Sequence, residues 1–155
     1  KQKLLLATQQ DPDSVAAWNG MAYYMQTVGD NISAEKAYQK ALALKPKQGD
    51  TLNNYGVFLC QQGKPKAAIQ YFQEATNDPA YITTAQAYEN AGLCAMKMPN
   101  TTLAESFFTK ALANDPKLAN ANLALAQIAW QNHQMTRAQY HLNRYNHLAK
   151  PSSSS

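Results

Sequence analysis

Apolar and small residues recur along this chain every three to four positions, which is the spacing of one face of an α-helix. Polar residues, mostly Gln, Asn, Lys and Thr, fill the positions between them. Short stretches with Gly, Pro or Asp interrupt the pattern at intervals that suit helix ends. The pattern therefore predicts an all-α chain of amphipathic helices joined by short turns.

The helical segments themselves repeat with a period of about 34 residues. The copies begin at Val15, Gly49, Ala85 and Ala119, so their spacings are 34, 36 and 34 residues. Each copy is predicted to hold a first helix over its positions 1–14 and a second helix over positions 18–31. The two extra residues lie in the segment 78–84, which predicts a longer loop before the third copy.

Residue sizes also repeat at fixed positions of each copy. A large residue at position 4 precedes a small one at position 8, Ala at 20, an aromatic residue at 24, Ala at 27 and Pro at 32. This order resembles the tetratricopeptide repeat (TPR) and implies a TPR solenoid, a right-handed superhelix of antiparallel helix hairpins. The three clearest copies contain Trp18, Ala22, Ala34, Tyr38, Ala41 and Pro46; Leu52, Gly56, Ala68, Phe72 and Ala75; and Tyr88, Gly92, Ala104, Phe108, Ala111 and Pro116.

The turns between the two helices of a copy differ in sequence. Gly29 and Gly63 lie at this point in the first two copies, where a residue in the left-handed conformation commonly ends a helix. Pro99 and His133 take the place of these glycines in the third and fourth copies. We therefore expect the last two turns to differ from the glycine turns.

The start of the chain has the character of a helix end. Residues 3–10 are predicted to be helical and to stop at Asp11 and Pro12, and Pro12 precedes Pro46 by one period. This segment is expected to be the second helix of an upstream repeat, so the chain is expected to be part of a longer protein. The predicted organisation is a TPR domain over 1–150, with a partial upstream repeat at 1–12, copies at 15–48, 49–84, 85–118 and 119–150, and a disordered tail at 151–155.

Composition and charge exclude several functional classes. The chain has 155 residues, 45% of them hydrophobic and 15% charged, and no apolar run long enough to cross a bilayer. Its net charge of +4 comes from dispersed lysines and not from a stripe interleaved with aromatic residues, so we predict no nucleic-acid binding. Phosphate-binding loops, nucleophile elbows and paired carboxylates are missing, and His133, His141 and His147 have no metal-ligand spacing. We predict a protein that is not an enzyme and holds no cofactor or metal.

A stack of TPR hairpins presents a groove lined by its first helices, and such grooves bind proteins. The TPR resemblance places the lining at about positions 2, 5, 9, 12 and 13 of each copy. These positions are apolar or carry amides here, which suits an extended or helical peptide. The candidate groove residues are Asn19, Tyr23, Gln26, Asn53, Val57, Gln86, Glu89, Leu93, Lys97 and Trp130.

Two of these candidates are large aromatic residues. Tyr23 and Trp130 are either binding anchors, which are often aromatic, or packing residues against a neighbouring turn. For Trp130 the second alternative is that it covers the end of the stack, because it belongs to the last copy.

The two cysteines are separated by one repeat period. Cys60 is at position 12 of one first helix and Cys94 at position 10 of the next. Because neighbouring first helices of a TPR stack pack side by side, a disulfide between the two thiols is one possible arrangement. A bridge would connect the second and third copies and contribute roughly 3–4 kcal/mol by loop-closure entropy. The alternative is a pair of buried free thiols, since cysteine is a common core residue.

The middle of the chain resembles one particular group of TPR proteins. Residues 53–63 read NNYGVFLCQQG, residues 78–81 read DPAY and residues 87–95 read AYENAGLCA. Together they resemble the type IV pilus biogenesis/stability TPR lipoproteins, the pilotin family also called PilF or PilW. The resemblance covers nearly the whole chain and is strongest over residues 51–115.

This resemblance implies a function and a subcellular localisation. Members of the family are lipid-anchored on the periplasmic face of the bacterial outer membrane. They help the secretin subunit of the type IV pilus to localise and multimerise, and so serve twitching motility. A periplasmic address also favours the Cys60–Cys94 disulfide. The alternative function is a generic TPR adaptor or co-chaperone, but a carboxylate clamp needs several basic groove residues and only Lys97 is basic here.

Overall fold

The computed structural model describes residues 1–150, so the predicted disordered tail at 151–155 lies outside the described residues. Residues 1–150 form helices and turns without any strand, which confirms the all-α class. The helices of this part of the chain are α1 (Gln2–Gln10), α2 (Val15–Thr27), α3 (Asn31–Leu44), α4 (Gly49–Gln61), α5 (Pro65–Thr76), α6 (Thr84–Ala95), α7 (Thr101–Asn114), α8 (Ala119–Gln131) and α9 (Met135–Ala149).

The helices pack most extensively in consecutive pairs: α2 with α3, α4 with α5, α6 with α7, and α8 with α9. Each pair matches the two helices predicted for one copy. The clearest difference in length is at α6, which ends at Ala95 although the register allows helix to residue 98. Pro99 explains this difference, because a proline disfavours the helical conformation of the residue before it.

The chain divides into two compact units. The first unit, Lys1–Ile82, holds α1 to α5, and the second unit begins at Thr83 and holds α6 to α9. The division lies within the loop that the two inserted residues predicted. The assignment of residues 1–150 to one TPR domain with four copies stays a prediction.

Aromatic rings join the first two copies within the first unit. The ring of Tyr38 in α3 lies 5.4 Å from the rings of both Tyr55 and Phe58 in α4, measured between centroids. Tyr71 of α5 approaches Tyr55 edge-on at 4.8 Å. Tyr38 is fully buried by this arrangement, so the first helix of one copy covers the second helix of the copy before it.

Glycines at position 8 allow the two helices of a copy to lie close together. A Cβ atom at Gly56 would lie 2.7 Å from the ring of Phe72, and one at Gly92 would lie 2.8 Å from the ring of Phe108. Both phenylalanines are at position 24 of the same copy and are completely buried. The small residue at position 8 therefore makes room for the aromatic ring at position 24.

The turn of the fourth copy does not differ from the glycine turns, contrary to expectation. His133 has φ 59°, in the same left-handed region as Gly29 at 84° and Gly63 at 77°. Its amide donates to the Trp130 carbonyl, as the Gly63 amide donates to that of Cys60. The packing of α8 against α9 thus imposes the left-handed turn although no glycine is present. Only the third turn, with Pro99, departs from the common geometry.

The longer loop is fixed to the start of α4. The Gly49 amide donates to Oδ2 of Asp78 at 2.8 Å, and the Ala80 amide donates to Oδ1 of the same carboxylate at 3.0 Å. Tyr81 is buried, and a Cβ at Gly49 would lie 2.5 Å from its ring. The carboxylate therefore satisfies a free N–H at a helix N-terminus, where negative charge is favourable.

Candidate partner-binding face

Nine of the ten predicted groove residues belong to first helices, which are α2 and α4 in the first unit and α6 and α8 in the second, and Lys97 lies in the turn after α6. Nine of the ten are at least partly exposed to solvent. The exception is Glu89, which is 6% exposed.

Tyr23 is the most exposed aromatic residue on the face of the first unit, with 60% of its surface accessible. Its main-chain carbonyl accepts a hydrogen bond from the Thr27 hydroxyl. No hydrogen bond to its own hydroxyl is formed by residues 1–150. The ring is therefore available to a ligand, while its role as a binding anchor stays a prediction. We call the set Asn19, Tyr23, Asn53 and Val57 the Tyr23 face.

The side-chain amide of Gln26 forms hydrogen bonds within the protein. Its Oε1 accepts a hydrogen bond from the Tyr38 hydroxyl at 2.6 Å, and its Nε2 donates to Oε1 of Gln61 at 2.8 Å. Burial raises the pKa of the Tyr38 phenol well above its ordinary value, and the nearby Tyr23 phenol adds to this. Tyr38 is thus a permanent donor near neutral pH, and Gln26 connects α2, α3 and α4.

A second amide contact joins the same two first helices. Nδ2 of Asn54 donates to Oδ1 of Asn19 at 3.3 Å. The pairs Asn19–Asn54 and Gln26–Gln61 are each 35 residues apart, one period plus one. The sequence analysis missed Asn54 as a partner, although this repeated offset of amide residues is a signal that predicts such contacts.

The second unit presents Gln86 and Leu93 on α6 and Lys97 just after its C-terminal end. Leu93 is 47% exposed, and Gln86 and Lys97 are also exposed. The spacing of seven residues places Gln86 and Leu93 on one side of α6, and Lys97 lies in the turn that follows the helix. This face combines an amide, an apolar side chain and one positive charge.

Glu89 does not lie on the exposed face, so its prediction as an open groove position needs correction. Its Oε2 is buried and has no hydrogen-bond partner within residues 1–150, while Oε1 receives a long bond from Gln86 at 3.4 Å. Burial raises the pKa of the Glu89 carboxyl, and the Gln86 amide and the Ala121 main chain oppose that rise. The carboxyl lies against the first turn of α8, whose N-cap, Leu118, has no capping side chain.

Trp130 lies at the surface of the fourth copy, and its role as a binding anchor or as a cover of that copy stays a prediction. Its side chain is 66% exposed and stands at the edge of an open cavity of about 570 Å³ between α8 and α9. An exposed indole beside an apolar depression is typical of a binding surface.

A buried polar pair replaces apolar packing in the fourth copy. Nδ1 of His141 lies 3.1 Å from Oδ1 of Asn122, and Nδ2 of Asn122 donates to the Leu118 carbonyl. Since Oδ1 of Asn122 is an acceptor, Nδ1 of His141 carries the proton. Burial lowers the pKa of His141, and the Arg137 guanidinium lowers it further, while Glu105 acts in the opposite direction. This pair explains why Asn122 departs from the repeat pattern.

The two cysteines of the chain lie inside the protein. Cys60 and Cys94 are both buried, and neither is a free thiol. Within residues 1–150 no three His, Cys, Asp or Glu side chains come together as metal ligands. That same range contains no helix with the length and apolar character needed to cross a membrane.

Comparison with known proteins agrees with this architecture. Two models of the tetratricopeptide repeat match the chain, one over residues 26–82 and the other over residues 85–118. Together with the helix pairs, these matches define the class, and the chain belongs to the tetratricopeptide repeat family.

Within this class the chain is homologous to proteins of type IV pilus biogenesis. It is 29% identical over 145 residues to the type IV pilus assembly protein PilF of Pseudomonas aeruginosa, covering 94% of this chain and 58% of that protein. The crystal structure of PilW, a widely conserved type IV pilus biogenesis factor, matches 94% of this chain and 66% of its own at 32% identity, with a TM-score of 0.85. A structure of Pseudomonas aeruginosa PilF matches 96% of this chain and 67% of its own at 28% identity, with a TM-score of 0.90. The chain thus spans about three fifths of the length of the curated protein.

Proposed function

We propose that this protein is a non-enzymatic assembly factor for type IV pili, a pilotin. In this proposal it binds the outer-membrane secretin subunit and promotes its localisation and multimerisation, from a lipid-anchored position on the periplasmic face of the outer membrane. The observation that carries the proposal is homology to PilF along 94% of the chain. The secretin and the lipid anchor are implied by the family resemblance of residues 51–115.

The exposed faces of the first helices supply suitable chemistry for a protein segment. On the Tyr23 face, one exposed ring is flanked by amide and apolar side chains and no charge. Such a surface favours a segment that inserts an apolar side chain and pairs its main chain with amides. In the second unit we assign partner contacts to Gln86, Leu93, Lys97 and Trp130. We assign no partner contact to Gln26 or Glu89. The Gln26 amide is hydrogen-bonded to Tyr38 and Gln61, and Oε2 of Glu89 is buried.

The proposal is tested with two tyrosines of equal exposure. Tyr23 and Tyr140 are each 60% exposed, but Tyr140 is on α9, a second helix. Purified Tyr23→Ala should bind the secretin subunit at least tenfold more weakly than the wild type, which corresponds to about 1.4 kcal/mol. Tyr140→Ala should bind like the wild type, and circular dichroism should show both variants folded. Equal binding of the two variants would remove the Tyr23 face from the proposal, and no binding by the wild type would refute the secretin assignment.

A generic TPR adaptor is the alternative function. The same exposed amides and the Tyr23 ring suit many peptides, and TPR folds carry many functions. Affinity capture on full-length protein separates the two proposals, because a pilotin enriches the secretin above other envelope proteins. An adaptor instead enriches several unrelated proteins through the same face.

We also propose that Cys60 and Cys94 form a disulfide. Two observations support the pairing: both side chains are buried and neither is a free thiol. Non-reducing digestion and mass spectrometry should recover one cross-linked peptide from protein isolated from the periplasm. Reaction of both cysteines with a thiol reagent in the unfolded, unreduced protein would contradict the pairing.

A further inference from the structure

A small cavity of the second unit lies between the end of α7, the first turns of α8 and the middle of α9. Its volume is about 210 Å³, and its lining combines apolar side chains with an amide, an imidazole and a guanidinium. Sites for drug-sized ligands measure about 300–1,000 Å³, so this cavity has room for a single side chain or a molecule of similar size. The lining residues are Leu112, Pro116, Asn122, Tyr140, His141 and Arg144.

The cavity lies on a side of the second helices that is exposed in every copy. Position 22 carries an exposed residue in all four copies, although three of these copies are followed by another one along the chain. The accessibility of this side is therefore a property of the repeat and does not depend on which copy comes last. The four residues at position 22 are Lys36, Gln70, Ser106 and Tyr140.

The polar lining distinguishes the fourth copy from the third. In the third copy, Nζ of Lys110 at position 26 lies 5.9 Å from the centre of the Tyr88 ring and 5.8 Å from that of Phe107. These rings are at positions 4 and 23, and their faces attract the ammonium group. The corresponding residues of the fourth copy, at positions 4, 23 and 26, are Asn122, His141 and Arg144. The fourth copy thus keeps a cation at position 26 but replaces both carbon rings by polar groups.

Two polar groups of the cavity form no hydrogen bond with the rest of residues 1–150. One is Nε2 of His141, a residue that is only 9% exposed and whose Nδ1 is engaged with Asn122. The other is the guanidinium of Arg144, which is half-buried. Polar groups with so little access to water normally have partners, and a ligand in the cavity would supply them.

The charges around the imidazole leave Arg144 as the one free to meet an anion. From α7 and α9, Glu105 and Arg137 act on the imidazole, and they are joined to each other in an ion pair. The segment α8 contains no titratable side chain. In the loop before α8, the carboxylate of Asp115 accepts a hydrogen bond from the Lys117 amide. The nearby acidic groups therefore already have partners, whereas the guanidinium has none.

A carboxylate would satisfy both unpartnered groups at once. One oxygen accepts from the planar guanidinium of Arg144, and the other accepts from Nε2–H of His141 once the ring has taken up a proton from water. A short aliphatic stem behind the carboxylate buries apolar surface against Leu112 and Pro116. Inorganic phosphate has no such stem, and a neutral amide cannot form the charge-assisted bonds.

We propose that this cavity binds a carboxylate on a short aliphatic stem, held by Arg144 and His141. The stem belongs either to a small free acid or to an acidic side chain of another protein, since both present the same group. Tyr140 forms the outer edge of the cavity, and no ligand contact is assigned to it. The site is separate from the Tyr23 face and does not depend on the identity of the partner as a secretin.

The first probe is sodium butyrate, and NMR signals of the histidine rings in the purified protein report on its binding. We expect saturable shifts of the His141 ring, with a dissociation constant on the order of millimolar for so small a ligand. At saturation the pKa of His141 should rise, because the anion stabilises the imidazolium. By linkage, butyrate should bind more tightly as the pH falls from about 8 to about 6. His133 and His147, which do not line the cavity, should show neither change.

Two cations at the same repeat position provide matched variants. Arg144→Gln should weaken butyrate binding about tenfold or more, and Arg144→Lys should retain part of it because the charge is kept without the planar fork. Lys110→Gln removes a positive charge from position 26 of the preceding copy, outside the cavity, and should leave binding unchanged. Unfolding curves of the three variants establish that they remain folded.

A second probe identifies the source of the carboxylate. Glutamate blocked by an acetyl group and a methylamide carries the same group beside peptide bonds. Tighter binding of blocked glutamate than of butyrate assigns the site to an acidic side chain of a protein, and the reverse order assigns it to a free acid.

Three kinds of result would overturn the proposal. One is the absence of a saturable shift of His141 with either probe, or a shift without a rise of its pKa. Another is binding of butyramide or inorganic phosphate as tight as that of butyrate, since neither combines the charge with an apolar stem. The last is unchanged butyrate binding by Arg144→Gln, or an equal loss in Lys110→Gln.

Discussion

Replacing Gly56 by alanine should destabilise the first unit, whereas the same replacement at Gly20 should stabilise it. Both glycines are inside helices of that unit, Gly20 in α2 and Gly56 in α4. A Cβ at Gly56 would lie 2.7 Å from Cε1 and 2.8 Å from Cδ1 of Phe72, a ring that is 1% exposed. A Cβ at Gly20 would meet only Cδ2 of Leu4 at 3.1 Å, at the end of a flexible side chain.

The opposite signs follow from two competing contributions. Alanine in place of glycine inside a helix stabilises it by about 1 kcal/mol at either site. Overpacking against a buried ring costs about 1–3 kcal/mol, and only Gly56 incurs this cost. The free energy of unfolding should therefore fall by about 1 kcal/mol in Gly56→Ala and rise by about 0.5–1 kcal/mol in Gly20→Ala.

Urea unfolding followed by circular dichroism measures both changes, provided that the slope with denaturant is the same in all variants. Adding Phe72→Leu to Gly56→Ala should recover part of the loss, because the smaller side chain leaves room for the new methyl group. The packing argument is refuted if Gly56→Ala is as stable as Gly20→Ala, or if Phe72→Leu has the same effect in both backgrounds.

Three further changes test individual residues of the second unit. His133→Gly should raise the free energy of unfolding by about 1 kcal/mol, because glycine adopts φ 59° without a steric cost; an unchanged urea midpoint would contradict this. Glu89→Gln should stabilise the protein at neutral pH, because burial raises the pKa of the Glu89 carboxyl above its ordinary 4.5 and the ionised carboxylate therefore destabilises the folded state. Urea titrations at acid pH, where the carboxyl is protonated in both the folded and the unfolded state, should show no such advantage. Because burial lowers the pKa of His141 below 6.5, stability should fall as the pH drops below that value, and the double variant Asn122→Leu, His141→Phe should flatten this part of the pH profile.

The helices could be predicted well because their signal is repeated. The first three copies show the same sizes at positions 4, 8, 20 and 24, and the fourth keeps the small residues at 8 and 20, so an ambiguous segment takes its register from its neighbours. The turn at His133 was predicted wrongly because local preference favours glycine in a left-handed turn. Packing of α8 on α9 outweighs that preference, and the conformational free energy that His133 loses in the left-handed region cannot be read from the sequence.

The candidate face was predicted less completely than the fold. Helical periodicity correctly indicated exposed side chains at Tyr23, Leu93 and Trp130. It does not distinguish an exposed position from one covered by the first turn of another helix, and so it placed Glu89 on the open face. The contact of Asn122 with His141 depends on which side chains meet across a hairpin, and the repeat consensus gives no signal for a buried polar pair.

The most direct test of the proposed function is the assembly state of the secretin in cells that lack this gene and carry a plasmid copy of it. Wild-type protein and Tyr140→Ala should restore secretin multimers in the outer membrane, as seen on gels of unboiled membranes. Tyr23→Ala, at equal protein level, should leave most of the secretin as monomer. Full multimer assembly with Tyr23→Ala would contradict the role of the Tyr23 face, and normal multimers in cells without any copy would contradict the pilotin function itself.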